Sequence, residues 1–276
     1  MEKLEKNQYY KVTELLNSFG EECKFALSVI DNNIPGEVYV NSINNPESCL
    51  IASVSGKYLV LGNEANEAFN KDIIDFLKKA ENHHIFYDLY ASSNKWIDIL
   101  EEALRGSVVR LKRSIYIYEG ENIDDVDLSS DYEMKKMDEV LFHKYADEID
   151  STFKVHWGTP SNFCSNGIGY CIMKDKEMVS VCNTFYIGGG YSEISIDTTE
   201  KFRKNGFATK ACQMFINSSL DKKLIPLWDA DYGNEPSNQL AAKLGFTKVK
   251  DCEILWWHEN QKAVANYLKK YNYENK

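Results

Sequence analysis

A short basic loop with one glycine stands out in this 276-residue chain, because its residue types favour the binding of an anion. The loop reads Arg-Lys-Asn-Gly-Phe-Ala at positions 203–208. A strand-like run at 193–198 precedes it and a helical run follows it. The unpaired backbone N–H groups at the start of a helix form a cradle for phosphate. Gly206 can adopt backbone angles that are closed to other residues, and without a side chain it lets a phosphate approach the main chain.

The helical run after the loop has a periodic apolar face. Apolar side chains recur at the spacing of one helix face, at Phe207, Ala208, Ala211, Cys212, Phe215 and Ile216. This spacing leaves Thr209, Lys210 and Gln213 on the outside. The pattern predicts a helix that packs on a sheet and begins at the loop.

A second segment with a distinctive order follows the helix. Residues 224–230, Leu-Ile-Pro-Leu-Trp-Asp-Ala, read as a strand. The run Asn234-Glu235-Pro236-Ser237 then leads into a short helical run that closes in Leu-Gly-Phe at 244–246. The segment therefore predicts a strand, an Asn at the strand end and a short helix.

Together the two segments resemble the signatures of the GNAT superfamily of acyl-CoA-dependent N-acyltransferases. The loop matches the superfamily's pyrophosphate loop, which has Gln or Arg, then Gly, then Gly or Ala at this spacing. The Asn before a helix that closes in Leu-Gly-Phe matches its second signature. More narrowly, the Glu-Ile-x-Ile-x-Thr strand, the loop and the Trp-Asp strand look like a group of two-part bacterial GNAT proteins. That group includes an antibiotic-resistance acetyltransferase acting on an aminopolyol.

The resemblance implies a site for acetyl-CoA as co-substrate. In GNAT folds the fourth and fifth strands of a mixed sheet splay apart, and acetyl-CoA sits in the opening. Backbone groups of the strand would pair with the pantetheine arm, and the loop would bind the pyrophosphate with the Arg203 side chain free to pair with a phosphate oxygen. Asn234 matches the Asn that bonds the arm, and Ser237 matches a small residue one turn later. The implied cofactor-binding residues are Ile196, Asp197, Thr198, Arg203, Lys204, Asn205, Gly206, Phe207, Ala208, Thr209, Asn234 and Ser237.

Two carboxylates are candidates for catalysis, because acyl transfer to an amine needs the amine deprotonated. Glu193 is the candidate general base, since it lies among apolar residues of the strand that would line the cleft, where partial burial raises a carboxyl pKa. Strand alternation places Glu193, Ser195 and Asp197 on one face unless a bulge intervenes, and that face is either the cleft or solvent. Asp229, at the end of the facing strand, is the candidate for holding the amine, although an Asp there often only caps the next turn.

The proton donor for the leaving thiolate is left open. Many members of the superfamily place Tyr seven residues after the Asn, and this chain has Ala241 there. Tyr232, Tyr186 and water are alternatives, or the thiolate leaves unprotonated, since a free thiol has a pKa of about 8.5. The departure also keeps open a function of another class, a catalytically silent protein that senses acyl-CoA or holds a partner.

The C-terminal half has the element order β-β-β-α-β-α-β. Helical residues at 137–153 and a hairpin at 168–186, turning at 174–177, precede the strand and the loop. An extended segment at 247–258 and a helix at 263–271 end the chain.

The N-terminal half repeats this order without the signatures. Its elements are predicted at 38–41, 49–61, 69–79, 85–90, 95–104 and 108–118. At the loop position, residues 61–67 are acidic rather than basic and would repel a pyrophosphate. We therefore predict an α/β (α+β) fold of tandem GNAT-like mixed sheets with flanking helices. A degenerate N-terminal domain at 1–125 and a catalytic, cofactor-binding domain at 132–276 would be joined by the acidic run at 119–131.

Composition and charge narrow the function classes. A net charge of −10 argues against a nucleic-acid partner and suits a cationic amine, although acidity also serves solubility. No signal-peptide pattern and no apolar run of the ~20 residues that span a bilayer are found, which predicts no membrane partner and a cytoplasmic location. Seven cysteines without a Cys-x-x-Cys pair, and histidines without ligand spacing, predict neither a disulfide framework nor a metal site.

The sequence thus predicts an acetyl-CoA-dependent N-acetyltransferase. Its acceptor would be the amine of a small cationic metabolite or antibiotic, acetylated by direct attack in a ternary complex. The acyl length and the identity of the amine are not fixed by these patterns, and a homodimer is left open.

Overall fold

The structure is a computed structural model that describes residues 1–17, 19–83, 85–124, 127–271 and 273. Its strands are β1 (Glu2–Lys3), β2 (Gly36–Val40), β3 (Ser48–Ser53), β4 (Lys57–Gly62), β5 (Phe86–Ala91), β6 (Val109–Ile117), β7 (Glu133–Lys136), β8 (Gly169–Lys174), β9 (Glu177–Gly188), β10 (Tyr191–Thr198), β11 (Ile225–Asp231) and β12 (Thr247–His258). Within the described residues these twelve strands form one mixed sheet, in the order β1-β2-β3-β4-β5-β12-β6-β11-β10-β9-β8-β7. This is the mixed α/β architecture that the sequence predicts.

Helices cover both faces of the sheet. They are α1 (Thr13–Asn17), α2 (Leu27–Ile30), α3 (Glu67–Leu77), α4 (Asn94–Ala103), α5 (Glu139–Glu148), α6 (Phe153–Trp157), α7 (Pro160–Asn166), α8 (Phe207–Asp221), α9 (Glu235–Lys243) and α10 (Gln261–Lys270). Short 3-10 turns lie at Lys6–Val12, Glu21–Ala26, Ala80–Asn82 and Glu200–Phe202. Across these same stretches of chain, every helix is too short or too polar to cross a membrane.

The helical residues predicted at 137–153 are divided in the structure. Helix α5 ends at Glu148 and α6 begins at Phe153. The carboxylate of Asp150 accepts hydrogen bonds from the N–H and the hydroxyl of Thr152, at 2.9 and 2.6 Å. This local bonding offers the backbone a turn in place of a further helical turn, and the helix stops there.

The last strand of each half is exchanged with the other half. β6 belongs to the N-terminal half in sequence, yet it pairs with β11, with Leu227 opposite Ile117. β12 ends the C-terminal half, yet it pairs with β5, with Leu255 opposite Leu89. The sheet therefore runs through both halves without a break. The domain division at 125 and 132 stays a prediction, and residues 125 and 126 of the predicted linker lie outside the described residues.

The fourth and fifth strands of the C-terminal half separate, as the GNAT resemblance implies. β10 and β11 are paired only where Tyr191–Glu193 faces Ile225–Leu227. Beyond this point Ile194–Thr198 is paired with β9 alone and Trp228–Asp231 with β6 alone, among the residues described. Helix α8 packs beneath the opening through the predicted apolar face, where Ala211, Cys212, Phe215 and Ile216 are fully buried. The separation leaves a slot through the sheet.

Candidate active site

The predicted anion loop is held open at the start of α8. Gly206 caps the helix with φ +79° and ψ 0°, in the left-handed region that favours glycine. A Cβ atom placed there would meet no heavy atom within 4 Å in the described part of the chain, and no side chain caps the helix there. The side-chain amide of Asn205 donates to the carbonyl oxygens of Phe202 and Arg203, both at 3.2 Å. These bonds fix the bend that precedes the helix.

Backbone donors are available at the first turn of α8. The first helical hydrogen bond runs from the Lys210 N–H to the Gly206 carbonyl, at 3.2 Å. The N–H groups of residues 207–209 precede this bond, so the helix itself supplies no acceptor for them. They belong to the predicted pyrophosphate-binding set. An anion at this position would also be favoured by the positive end of the helix dipole.

Arg203 has bonds that the sequence does not reveal. Its backbone N–H donates to the carbonyl oxygen of Glu200 at 3.2 Å, and its side-chain Nε donates to that of Thr198 at 3.1 Å. The backbone N–H of Arg203 is thus already paired. It is therefore not a free donor for the pyrophosphate, unlike the N–H groups at the start of α8. The Nε contact holds the guanidinium beside the end of β10, next to the loop.

The equivalent loop of the N-terminal half is closed by its own side chains. Asn66 caps α3, and its side-chain oxygen accepts from the N–H of Phe69 at 3.1 Å. The indole of Trp96, which is fully buried, donates to the carbonyl oxygen of Gly62 at 3.3 Å and fills the space beside β4. The Asn66 side chain therefore takes the N–H group at the start of α3 that an anion would need. That the N-terminal unit binds no cofactor stays a prediction, and these internal hydrogen bonds are its physical reason.

The strand edge that the pantetheine arm would follow carries one side chain that is tied to a helix. Ile196, Asp197 and Thr198 lie on the part of β10 that has left β11. The carboxylate of Asp197 accepts from the hydroxyl of Tyr145 on α5 at 2.7 Å, and burial raises the pKa of Asp197. The Asp197 side chain is thereby anchored to α5, and the backbone edge of this segment faces the slot.

The second signature lies on the other wall of the slot. Asn234 begins α9, and its side-chain amide forms no hydrogen bond with the described residues. The hydroxyl of Ser237 accepts from the indole N–H of Trp228 at 3.0 Å. Ala241, at the position of the superfamily's Tyr, is buried in the core beneath α9. Ala241 has no group that donates a proton, so the proton donor for the thiolate stays open.

A cavity of about 250 Å³ lies where β10 and β11 part. Trp228 and Ser237 line it on the side of α8 and α9, whereas Glu193 and Asp229 line it on the opposite face of the sheet. Residues of β4, β5 and β6 also line it, so the N-terminal half contributes to the site. A larger cavity of about 610 Å³ lies elsewhere, beside Tyr39 and Phe76, and has no lining residue in common with this one.

Glu193 faces this cavity and not solvent. Its side chain is 8% exposed, and the face it shares with Ser195 and Asp197 is the one that alternation predicts. A bulge does occur beside it, but the extra residue is Phe185 on β9, so the alternation of β10 itself is kept. Of the two alternatives for this face, the structure thus places Glu193 in the cleft.

Lys57 of β4 lies between the two predicted catalytic carboxylates. Its Nζ donates to both carboxylate oxygens of Glu193, at 3.0 and 3.1 Å, and to Asp229 Oδ2 at 2.7 Å. The rings of Phe25 and Tyr90 lie 4.6 and 4.8 Å from Nζ, within the range of cation–π attraction. Burial alone would lower the pKa of Lys57, but Asp229 and Glu193 outweigh it and raise the pKa above the ordinary value. The side chain is therefore an ammonium at neutral pH.

The same cluster fixes the charge of Asp229. Asp229 Oδ1 accepts from Arg113 Nε at 2.8 Å, and Oδ2 accepts from the hydroxyl of Tyr90 at 2.5 Å. Burial acts to raise the pKa of Asp229, but Arg113 and Lys57 reverse this and lower the pKa to about 2. Burial raises the pKa of Glu193, although Lys57 opposes the rise. Asp229 is therefore the firmly ionised member of the pair.

The described part of the chain contains no cluster of side chains that could bind a metal ion. No group of three His, Cys, Asp or Glu side chains there is placed to hold a metal ion. His156 is buried, stacks on Phe185 and bonds the carbonyl oxygen of that residue. His83 bonds the carbonyl oxygen of Leu77, and His84 lies outside the described residues.

Similarity to known proteins identifies the family of this chain. The family model described as GNAT acetyltransferase matches residues 13–255, most of the chain. The chain belongs to this GNAT family. An uncharacterized N-acetyltransferase of Bacillus subtilis (strain 168), YdfB, is 28% identical over 233 residues, which cover 84% of this chain and 89% of that protein. The acyltransferase class and acetyl-CoA as the family's co-substrate follow from this membership.

Solved structures share the GNAT fold of the whole chain. A GCN5-related N-acetyltransferase-like protein from Streptococcus suis 89/1591 aligns with a TM-score of 0.72 at 21% identity, covering 91% of this chain and 99% of that one. A tandem GNAT protein from the clavulanic acid biosynthesis pathway aligns with a TM-score of 0.62 at 10% identity, covering 94% and 98%. The predicted tandem GNAT-like fold is thereby confirmed.

The sequence patterns missed the part of this GNAT site that comes from the N-terminal half. Lys57, Tyr90 and Arg113 lie in the predicted elements 49–61, 85–90 and 108–118, and the sequence patterns give none of them a role in the site. Their meeting with Glu193 and Asp229 depends on the pairing of strands more than a hundred residues apart. A Lys at the start of the otherwise apolar run 57–62 was the one local signal of a buried charge.

Proposed function

We propose that the protein transfers an acetyl group from acetyl-CoA to the amine of a small cationic metabolite or antibiotic, by direct attack in a ternary complex. One observation carries the proposal: the slot between β10 and β11 joins an open anion loop on one face of the sheet to a small charged cavity on the other. A ligand bound along the slot could present its thioester to an amine in the cavity. This arrangement brings both substrates together before reaction.

The residues around the slot fit acetyl-CoA. We assign the pyrophosphate to the N–H groups of residues 207–209, with Lys204 and the Arg203 guanidinium as charged partners. The pantetheine arm would follow the edge of Ile196, Asp197 and Thr198 and would meet the free amide of Asn234. Asn205 and Ser237 contribute to this binding indirectly. The Asn205 side chain holds the loop bend, and the Ser237 hydroxyl holds the Trp228 indole.

The cavity favours a small amine with a positive charge. Its charged side chains are the carboxylates of Asp88, Glu193 and Asp229 and the cations Lys57 and Arg113, so the carboxylates exceed the cations by one when all are ionised. The cavity is smaller than the roughly 300–1,000 Å³ of a drug-sized site, which limits how much of the acceptor enters. The remainder of a larger acceptor would lie outside the cavity.

The predicted catalytic pair acts, in this proposal, by positioning. Glu193 and Asp229 hold Lys57 and Arg113 in place, and each carboxylate is already paired. For Glu193 to take a proton from the acceptor, it would have to give up its negative charge beside the Lys57 ammonium. The general-base role of Glu193 therefore stays a prediction, which the variants described below test.

A thiol-release assay tests the function. The purified chain is mixed with acetyl-CoA and, in turn, spermidine, kanamycin and 2-amino-1,3-propanediol, and free coenzyme A is measured against a no-amine control. We expect amine-dependent thiol release with at least one acceptor and a matching acetylated product by mass spectrometry. Calorimetry with acetyl-CoA alone runs in parallel. Tight binding without thiol release for any amine would refute the transferase and favour an acyl-CoA sensor.

A further inference from the structure

Three carboxylates line the cavity, and two of them are already paired. Both oxygens of Glu193 accept from Lys57. The oxygens of Asp229 accept from Lys57, Tyr90 and Arg113. Protonation of either group would remove the negative charge that its hydrogen bonds share with Lys57 or Arg113 in a buried site, which is costly.

Asp88 is the third carboxylate and comes from β5. The sheet register sets it opposite Lys57 of β4 and Trp256 of β12, and alternation places it on the same face as Tyr90. Asp88 is half-buried and lines the cavity. Its carboxylate forms no hydrogen bond and no ion pair with any residue in the described ranges. Among the three cavity carboxylates, Asp88 is thus the one whose protonation breaks no hydrogen bond within the described residues.

We propose that Asp88 is the general base of the acetyl transfer, taking the proton of the acceptor ammonium inside the cavity. This inference rests on the proposed function. It gives the N-terminal half a catalytic residue, although that half has the closed loop. The pairing of β5 with β12 helps to fix Asp88 in place, with Trp256 opposite it.

The proposed step balances in atoms and charge. The acceptor enters as an ammonium, and one N–H proton passes to the Asp88 carboxylate. The free amine nitrogen then attacks the thioester carbonyl carbon, a C–N bond forms, and the C–S bond breaks as the tetrahedral intermediate collapses. The second proton of the nitrogen leaves with the sulfur, which departs as the thiol. Asp88 returns its proton to water when the products leave.

The surroundings of Asp88 raise the pKa of its carboxyl group. Burial raises the pKa of Asp88, Arg113 opposes the rise, and Asp229 adds to it. A carboxylate with a raised pKa is a stronger base than one in water, so proton transfer from an ammonium is less uphill. The charged or titratable groups facing it are Lys57 on β4, Tyr90 on β5, Arg113 on β6, Asp229 and Asp231 on β11, and Tyr267 on α10.

Asp88→Asn tests the assignment, because it keeps the side-chain shape and removes the proton acceptor. With the best acceptor of the three amines above, we expect kcat to fall about 10²–10⁴-fold, the usual contribution of a general base. Acetyl-CoA affinity measured by calorimetry should not change. The wild-type kcat/KM should decline as pH falls through the pKa of Asp88, and this decline should be missing from the residual activity. Asp75→Asn, on the exposed side of α3, is the matched control and should keep the wild-type rate.

A second measurement separates a base from a structural carboxylate. An ionised, half-buried carboxylate without a hydrogen-bond partner destabilises the fold above its pKa, so Asp88→Asn should melt at the same or a higher temperature than the wild type at pH 8. A lower melting temperature would mark a structural role and overturn the inference. A wild-type rate in Asp88→Asn would overturn it too and leave the proposed function standing. A wild type that releases no thiol with any amine would overturn both.

Discussion

Replacing Lys57 with methionine removes the ammonium that Glu193 and Asp229 share while keeping an unbranched apolar side chain. The wild-type Nζ makes three hydrogen bonds to the two carboxylates, and its side chain is only 6% exposed. In Lys57→Met the carboxylates keep their places beside each other, and Arg113 remains as the only cation bonded to Asp229 among the described residues. The variant therefore leaves a buried negative charge without its counter-charge.

The cost can be estimated from the burial of this ion pair. Breaking a buried pair by removing one partner costs about 3–5 kcal/mol of unfolding free energy, because the other charge is left in a medium of low polarity. The control is Lys144→Met on α5, which removes an exposed i,i+4 pair with Glu148, where we expect a loss of about 0.3–0.5 kcal/mol. The two variants make the same chemical change, so burial accounts for the difference between them.

The cost should depend on pH in a defined direction. Lys57 opposes the burial that raises the pKa of Glu193, so without Lys57 this folded-state pKa rises further above its unfolded value, whereas Arg113 still lowers the pKa of Asp229. A carboxyl with a raised folded pKa contributes stability below its unfolded pKa and loses it as pH rises through the folded pKa. The deficit of Lys57→Met should therefore be larger at pH 8 than at pH 5, where protonation starts to remove the uncompensated charge.

Urea unfolding followed by tryptophan fluorescence measures this deficit at both pH values. We expect a lower midpoint with an unchanged slope, so the change is one of stability and not of compactness. Equal deficits at the two pH values, or a Lys57→Met deficit as small as that of Lys144→Met, would show that the carboxylates are not held by Lys57 in solution.

Two further predictions concern the loop and the predicted base. Gly206→Asp should weaken acetyl-CoA binding in calorimetry at least tenfold, about 1.4 kcal/mol, because a carboxylate would compete for the N–H groups of α8. The neutral control Gly206→Asn tolerates the same backbone angles and should bind acetyl-CoA several-fold better than Gly206→Asp. Equal affinities of the two variants would show that the loop does not bind the anion. Glu193→Gln should lower kcat less than tenfold and keep its pH profile, because the residue positions Lys57, and a loss of a hundredfold or more would return the general-base role to Glu193.

Local patterns in the sequence were sufficient for much of the fold. The helix after Gly206 was predicted because its apolar residues follow a helical period, and the hairpin of β8 and β9 was predicted from two apolar runs around a charged turn. The break at Asp150 within the helical residues 137–153 is not predicted, because it depends on the Asp150 carboxylate bonding the backbone N–H and hydroxyl of Thr152. Such competition between side chain and helix has little effect on hydrophobic periodicity.

The site was harder to predict, because half of it depends on non-local strand pairing. Glu193 and Asp229 were found from their place on strands beside the loop. Lys57 and Asp88 reach the same cavity only because β4 and β5 continue into the sheet of the other half through β12 and β6. No local pattern specifies that two halves exchange their last strands, and without the exchange neither residue has a reason to face the slot.

A crystal structure with coenzyme A bound tests the central claim most directly. We predict the pyrophosphate within hydrogen-bond distance of the N–H groups of residues 207–209, the pantetheine arm along Ile194–Thr198, and the sulfur in the cavity that Glu193 and Asp88 line. A complex with coenzyme A bound away from the slot, or with the first turn of α8 in contact with solvent alone, would contradict the account.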